Sequence, residues 1–131
     1  MIQRIKIGTS YQTKGSPMSN SSSTLADKHS HPIKPGTAAL TANYVSEQLG
    51  HLPGWQQKDG AISKAFPFKN YYETMAFVNA VAWISHKEDH HPDMEVGYNR
   101  CKVTYSTHSV GGLSEKDFEC AAKVDRLLKS E

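Results

Sequence analysis

The sequence has little cysteine and no long hydrophobic run. Its two cysteines, Cys101 and Cys120, have no metal-type spacing, which favours free thiols in a reducing compartment over a disulfide framework. No apolar stretch approaches the ~20 residues that a membrane span needs, and the N-terminus lacks the apolar core of a secretory signal. We therefore expect a cytoplasmic globular protein that neither spans nor binds a membrane.

Several common functional signatures are also missing. The chain contains no Walker loop, no Gly-x-Gly-x-x-Gly motif and no Gly-x-Ser-x-Gly elbow. The charge is unevenly spread, because residues 1–35 hold five basic residues and one acidic residue, whereas residues 36–131 hold ten and twelve. A near-neutral folded region argues against direct nucleic-acid binding.

A change in composition near residue 36 divides the chain. Residues 8–35 are rich in Ser, Thr, Gly, Pro and Lys without any period, so we expect residues 1–35 to form a disordered tail in which His29 and His31 are solvated. Whether the residues before Met18 belong to the native protein stays open. Residues 36–131 are predicted to form one folded domain.

Periodicity in residues 36–131 predicts an α+β fold in the order α-β-β-α-β-β-α. The elements are a helix over 40–49, strands 54–58 and 61–68 around the turn pair Asp59-Gly60, a helix over 70–86, strands 93–99 and 101–107, and a last helix after Ser114. Adjacent pairs of strands indicate a four-stranded antiparallel sheet with helices packed on one face. The exposed edge of so small a sheet favours pairing across a dimer.

The apolar residues of the two longer helices define the expected core. Helix 70–86 is apolar on two rows, so we expect it to be central, and the last helix has one inner stripe. The three sets are Met75, Val78 and Ala82; Phe77, Val81 and Ile84; and Phe118, Ala121, Val124 and Leu128. Ser114 followed by Asp117 resembles a capping box at the start of the last helix.

Four of the seven histidines lie between His86 and Asp117. Pro92 disfavours helical geometry at the preceding residue, so helix 70–86 should end by His90. The helix dipole favours an imidazolium at that end by ~0.3–1 kcal/mol. His108 ends a strand before two glycines, where it could meet His90 and His91 across a shallow cleft. Because imidazoles exchange protons near neutral pH, a proton-transfer site is the first hypothesis.

Simpler roles stay open for the same residues. A histidine at the end of a helix or strand is commonly a solvated surface residue, Asp117 is a natural helix cap, and Cys101, placed between two strands, is read as structural. His86 and His90 have the spacing of two zinc ligands on one helix. However, Lys87 stands where the zincin pattern has glutamate, so we expect no metal.

Together these residues resemble the pterin-4a-carbinolamine dehydratase family, over about residues 38–129. The motif comprises Asp89-His90-His91-Pro92, Tyr98, Thr107-His108, Gly112-Leu113 and Asp117. Further likeness lies in Gly54-Trp55, Phe66, Phe68, Phe77-Val78-Asn79 and Ala121-Ala122. The family dehydrates 4a-hydroxytetrahydropterin, released by aromatic amino acid hydroxylases, to quinonoid dihydropterin and water in tetrahydrobiopterin recycling. It requires no cofactor.

The resemblance implies a role for each matching residue. His90 matches a proton-transfer histidine expected to act as acid, and His108 one expected to act as base. His91 matches a histidine that mainly holds the pterin and shares in proton transfer. Asp117 matches a carboxylate that orients or tunes an imidazole. Four further residues are expected to support substrate binding: His86, Asp89, Pro92 and Thr107.

The resemblance leaves some alternatives. The animal branch usually has glutamate where this chain has His86, which puts the fine-tuning of substrate binding in doubt. Family members form homodimers or homotetramers, and an aromatic amino acid hydroxylase is an expected partner. Animal members also bind a homeodomain transcription factor, so a non-enzymatic partner role is the second hypothesis. Action on a related pterin is the third.

Overall fold

A computed structural model describes residues 25–27 and 32–129 of the chain. Within them lie three helices, α1 (Ala42–Leu49), α2 (Tyr71–Glu88) and α3 (Glu115–Leu127), and four strands, β1 (Gln56–Lys58), β2 (Ala61–Pro67), β3 (Asp93–Val96) and β4 (Arg100–Tyr105). The predicted α+β class and the order α-β-β-α-β-β-α are confirmed. No helix in this described part is long and apolar enough to cross a membrane.

The four strands form one antiparallel sheet in the order β1-β2-β4-β3. Alternate residues of β2 and β4 are buried on the side that α2 and α3 cover, and these are Ile62, Phe66, Cys101, Val103 and Tyr105. Outward-pointing residues such as Ala65 and Glu95 are exposed. The sheet therefore presents one face to the core, as the alternation in the sequence predicts.

The hairpin between β1 and β2 follows directly from its two turn residues. Asp59 and Gly60 both have positive φ angles, 52° and 75°, as the type I′ turn requires. Cysteine placement differs slightly from the expectation, because Cys101 lies within β4 and is fully buried rather than between strands.

Helix α2 ends where Pro92 predicts, before His90. Its N-cap is Asn70, whose side chain accepts a hydrogen bond from the Glu73 N–H at 2.9 Å. Asp89 ends the helix in the left-handed conformation, at φ 51°. The helix buries Phe77 and Val81 of one predicted row, together with Thr74 and Ala80, whereas Ala82 of the other row is exposed. Met75 and Val78 of that second row are half-buried, and Val78 packs against the core, so the prediction is wrong for Ala82 alone.

The second pair of strands is shorter than predicted. β3 ends at Val96 because Gly97 turns the chain, and its N–H donates to the Arg100 carbonyl at 2.8 Å. β4 ends at Tyr105, and Thr107 instead forms an isolated bridge with Gly112. That bridge closes a loop which contains a 3-10 turn, His108–Val110.

Most of the predicted tail lies outside the described residues, but its last part does not. Leu25–Asp27 forms a 3-10 turn packed on α3, where the Lys123 ammonium donates to the Ala26 carbonyl at 2.6 Å. Further on, the Leu40 N–H donates to the Leu113 carbonyl at 2.9 Å. These contacts attach the N-terminal segment to α3 and to the loop before it.

Candidate active site

A pocket of about 360 Å³ opens where four parts of the chain meet. They are the segment before α1, the C-terminal end of α2, the loop that follows β4, and the first turn of α3. The lining residues are Pro32, Ile33, Asp89, His90, His91, Ser106, Thr107, His108, Ser109 and Lys116. The pocket thus brings together the three predicted catalytic histidines, which are up to 18 residues apart in the chain.

His90 is held in place by its backbone and by its ring. Its N–H donates to the Ser85 carbonyl at 3.1 Å, which continues the end of α2. Its imidazole stacks on the ring of Tyr105, with 15° between the planes and 5.6 Å between the centroids. Only 12% of the His90 side chain is exposed, whereas His91 and His108 are exposed to solvent.

Asp117 is the hydrogen-bonding centre beneath the pocket. Its side chain is fully buried. One carboxylate oxygen lies 2.6 Å from His90 Nε2, and the other accepts from the Thr107 hydroxyl at 2.7 Å and from the Ser114 N–H at 2.9 Å. The Ser114 bond is the Asp117 half of a capping box at the start of α3. Capping and contact with His90 are therefore performed by the same carboxylate.

A short chain of hydroxyls supports this carboxylate. The Thr107 and Ser114 hydroxyl oxygens are 2.7 Å apart. Because a hydroxyl has one proton and Thr107 donates its own to Asp117, Ser114 must be the donor to Thr107. Both residues are buried, so this order of donors is shielded from water. The arrangement fixes the orientation of Asp117 relative to His90.

Three other predicted residues line the pocket near its mouth. Asp89, His91 and His108 are exposed to solvent. His108 begins the 3-10 turn that ends at Val110 and is followed by Gly111, whose φ angle is 71°. The site therefore combines one enclosed imidazole with two accessible ones.

Other predicted residues lie elsewhere. Pro92 is buried and does not line the pocket. His86 is exposed on α2, where its ring lies 5.5 Å from that of Trp83, and it does not line the pocket. Tyr98 is 65% exposed and likewise lies outside the lining. The structure thus separates His86 from the three histidines that it brings together.

The geometry around His90 differs from that of a zinc site. His86 and His90 do not share a helix face, because α2 ends before His90. Among residues 25–27 and 32–129, no group of three or more His, Cys, Asp and Glu side chains is arranged to hold a metal ion.

Several residues of the lining were not predicted from the sequence, above all Lys116, Pro32 and Ile33. Lys116 lies in the first turn of α3, where the helix dipole disfavours a positive charge. Such a misplaced charge is a signal that could have marked Lys116 as functional. Pro32 and Ile33 fall in the predicted tail and carry no comparable signal.

A family model decides the classification. The model of pterin 4 alpha carbinolamine dehydratase matches residues 38–127, which include every helix and strand named above. The chain belongs to the pterin-4a-carbinolamine dehydratase family. The resemblance in the sequence is confirmed, and so, at the level of the family, is the prediction of a hydro-lyase.

Individual proteins are similar over most of their length. A protein of Nitrosomonas eutropha, provisionally named a pterin-4-alpha-carbinolamine dehydratase, is 60% identical over 107 residues, which are 81% of this chain and 95% of that protein. A similarly named protein of Bdellovibrio bacteriovorus is 53% identical over 111 residues, which are 82% of this chain and 90% of that one. The stretch shared with the N. eutropha dehydratase begins no later than residue 26, well before the family model begins.

A solved structure also matches the fold. The crystal structure of a transcriptional coactivator/pterin dehydratase from Brucella melitensis superposes with a TM-score of 0.67 at 36% identity. The match covers 70% of this chain and 99% of that one. The dehydratase family fold therefore extends over the described domain.

Proposed function

We propose that this protein dehydrates 4a-hydroxytetrahydropterin to quinonoid dihydropterin and water by histidine acid–base catalysis. The contact of 2.6 Å between His90 Nε2 and the buried Asp117 carboxylate carries the proposal, since it sets an oriented imidazole in the pocket that His91 and His108 share. Family membership supplies the reaction class.

The reaction needs one proton donor and one proton acceptor. The 4a-hydroxyl receives a proton and leaves as water when the C4a–O bond breaks. The N5–H bond gives up its proton, and its electrons complete the new C4a=N5 double bond. General acid–base groups contribute ~10²–10⁴-fold to such steps. The reaction leaves the acid histidine without its proton and the base histidine with an extra one. Both then return to their starting states by proton exchange with solvent.

His90 is the proposed acid. Its Nε2 is held by Asp117, so the nitrogen left for proton exchange with the substrate is Nδ1. His108 is the proposed base, because it lines the same pocket from the loop after β4 and is accessible to solvent. His91 and Asp89 are proposed to hold the pterin, whose ring edge is rich in hydrogen-bonding atoms, with Thr107 supporting Asp117 from below.

The test is stopped-flow absorbance of 4a-hydroxytetrahydropterin generated by a hydroxylase. We expect the wild type to exceed the spontaneous rate clearly. We expect His90→Ala and His108→Ala each to lower kcat by about 10²-fold. The control is His51→Ala, an exposed histidine just after α1 that does not line the pocket. A wild type no faster than buffer would reject the dehydratase activity. Fast turnover in a variant that carries both His90→Ala and His108→Ala would reject the assignment of residues.

The physiological setting is proposed along with the reaction. The substrate is released by aromatic amino acid hydroxylases, so we propose that such a hydroxylase precedes this protein in tetrahydrobiopterin recycling. Copurification of the two proteins, and faster hydroxylase turnover on addition of this one, would test it. A relative named a coactivator favours, as the second candidate function, a role as a regulatory partner. A protein without dehydratase activity that still binds a transcription factor would support that second function.

We also propose that the protein forms a homodimer or homotetramer. β3 is an edge strand of the sheet, and the exposed Val96 lies on it with Tyr98 in the turn that follows. Unpaired edge groups and apolar side chains are typical of surfaces that associate. Light scattering coupled to gel filtration should give two or four times the 14.5 kDa mass of the chain. A mass of one chain at all concentrations contradicts it.

A further inference from the structure

The polar and the apolar lining residues of the pocket come from different parts of the chain. The lining residues from the domain that the family model covers are all polar: Asp89, His90, His91, Ser106, Thr107, His108, Ser109 and Lys116. The two apolar lining residues, Pro32 and Ile33, both lie before residue 38, where that model begins. Pockets for small organic ligands are usually lined mainly by apolar groups, with a few polar groups for orientation. Here one short segment supplies both of the apolar lining residues.

From this juxtaposition we propose that Pro32 and Ile33, the apolar wall, contact the substrate and contribute to its affinity. The inference rests on the proposed function and extends the site to a segment outside the matched family region. A pterin is a planar ring with polar edges and apolar faces. The polar residues can serve its edges, whereas burial of an alkyl side chain or of a ring face against apolar groups is favourable. Ile33 is the residue that we expect to contribute most.

The turn that follows Ile33 holds the wall in place. The Thr37 N–H donates to the Lys34 carbonyl at 3.2 Å, which closes a turn over residues 34–37. Pro35 precedes Gly36, and Gly36 has a φ angle of 83°, as the third position of a type II turn requires. The Leu40–Leu113 bond then attaches the chain to the loop before α3. Ile33 is half-buried, and it immediately precedes this hydrogen-bonded segment that leads to α1.

The other side of the segment is attached as well. Leu25 packs against the hydrophobic core, and Ala26 is 7% exposed. The hydrogen bond from Lys123 to the Ala26 carbonyl attaches the 3-10 turn Leu25–Asp27 to α3. The stretch shared with the N. eutropha dehydratase also includes residues 32 and 33, since it begins no later than residue 26. The apolar wall thus belongs to a part of the chain that a relative shares.

Three variants of the full-length protein test the wall. Ile33→Ala removes its apolar surface, and we expect KM to rise about tenfold with kcat within about twofold of wild type. Ile33→Leu keeps the surface, and we expect both constants within about twofold of wild type. Gly36→Ala strains the turn without a clash, since nothing lies within 4 Å of an added Cβ, and we expect a smaller rise in KM, about threefold.

Binding is measured separately with 7,8-dihydrobiopterin, a pterin that has no 4a-hydroxyl to lose. Fluorescence titration should give a dissociation constant about tenfold higher for Ile33→Ala than for wild type. The matched control is Ile84→Ala, which removes the same atoms from a half-buried isoleucine on α2 outside the pocket. We expect it to leave the dissociation constant unchanged.

The outcomes separate this inference from the proposed function. An unchanged dissociation constant and KM in Ile33→Ala would overturn the apolar wall, and so would equal losses in Ile33→Ala and Ile84→Ala. A wild type that binds 7,8-dihydrobiopterin without dehydrating the carbinolamine would reject the proposed function, and the same titrations would still decide the wall. A wild type that binds no pterin would overturn both.

Discussion

The ring of Tyr105 lies parallel to the imidazole of His90, with their centroids 5.6 Å apart. Tyr105 is fully buried at the end of β4. Burial, above all, raises the pKa of its hydroxyl far above the ordinary value of 10.0, with smaller contributions from Cys120 and Asp117. Tyr105 therefore stays neutral at any pH at which the enzyme would work. It serves His90 as a flat apolar surface, while Asp117 holds the edge of the same imidazole.

Removing that surface should affect turnover more than binding. We expect Tyr105→Leu to lower kcat about tenfold and to change KM less than twofold, because the imidazole would be held by Asp117 alone. Tyr105→Phe keeps the ring and should retain kcat within about twofold. Steady-state dehydration kinetics on both variants, with circular dichroism to verify folding, measures this. Equal losses in the two variants would mean that the hydroxyl, rather than the stack, is important.

Asp117 should matter for both stability and catalysis. It is fully buried and joins His90, Thr107 and Ser114. Asp117→Ala leaves several buried donors without a partner, so we expect the free energy of unfolding in urea to fall by about 3 kcal/mol.

Asp117→Asn separates the two roles. The amide oxygen still accepts from Thr107 and Ser114, but the amide presents N–H groups to His90 in place of an oxygen. We expect a smaller loss of stability than in Asp117→Ala, with kcat still lowered about tenfold or more. A variant with wild-type kcat would contradict a role of this carboxylate in orienting His90.

The features of the fold that depend on neighbouring residues could be predicted from the sequence. Asp59-Gly60 requires its turn by backbone conformation alone, and Pro92 limits α2 by steric contact with the residue before it. The end of β3 was less predictable, because Gly97 and the exposed Tyr98 fit the end of a strand as well as a turn. The sequence therefore predicts the end of a helix or strand only where a residue excludes one of the possible backbone conformations.

The candidate site could be predicted only as a set of residues. The motif identified His90, His91 and His108, but the sequence cannot show that Asp117 contacts His90, which lies 27 residues away. Proximity in the sequence grouped His86 with the other histidines, whereas in the structure its ring lies beside that of Trp83. Pro32 and Ile33 were missed because a short connection on the surface has no hydrophobic period.

His86 provides a test of this separation. The resemblance assigned it a supporting role, but it lies outside the pocket. We expect His86→Ala to change kcat and KM less than twofold, whereas His91→Ala should raise KM about tenfold by removing a polar contact with the pterin. Parallel kinetics on the two variants make the comparison. A large rise in KM for His86→Ala would mean that His86 reaches the substrate, which would restore the role that the resemblance implies.

The buried thiol of Cys120 should make stability depend on pH. Burial, together with the nearby carboxylates of Glu88 and Asp117, raises its pKa from 9.0 to about 12. The folded protein therefore keeps a proton that the unfolded chain loses above pH 9. The resulting stabilisation is fully present below pH 9 and is lost as pH rises towards 12. Within this window, Cys120 lowers the free energy of unfolding by up to about 1.4 kcal/mol per pH unit.

Cys120→Ala isolates this contribution from other groups that titrate in the same range. The variant loses some packing at every pH, which shifts its unfolding free energy by a constant amount. The slope against pH is a different quantity, and it should be shallower in the variant between pH 9 and 10.5. Urea unfolding at three pH values for both proteins measures it. Identical slopes would mean that Cys120 ionises equally easily in the folded protein, and rapid labelling of native Cys120 by iodoacetamide at pH 8 would lead to the same conclusion.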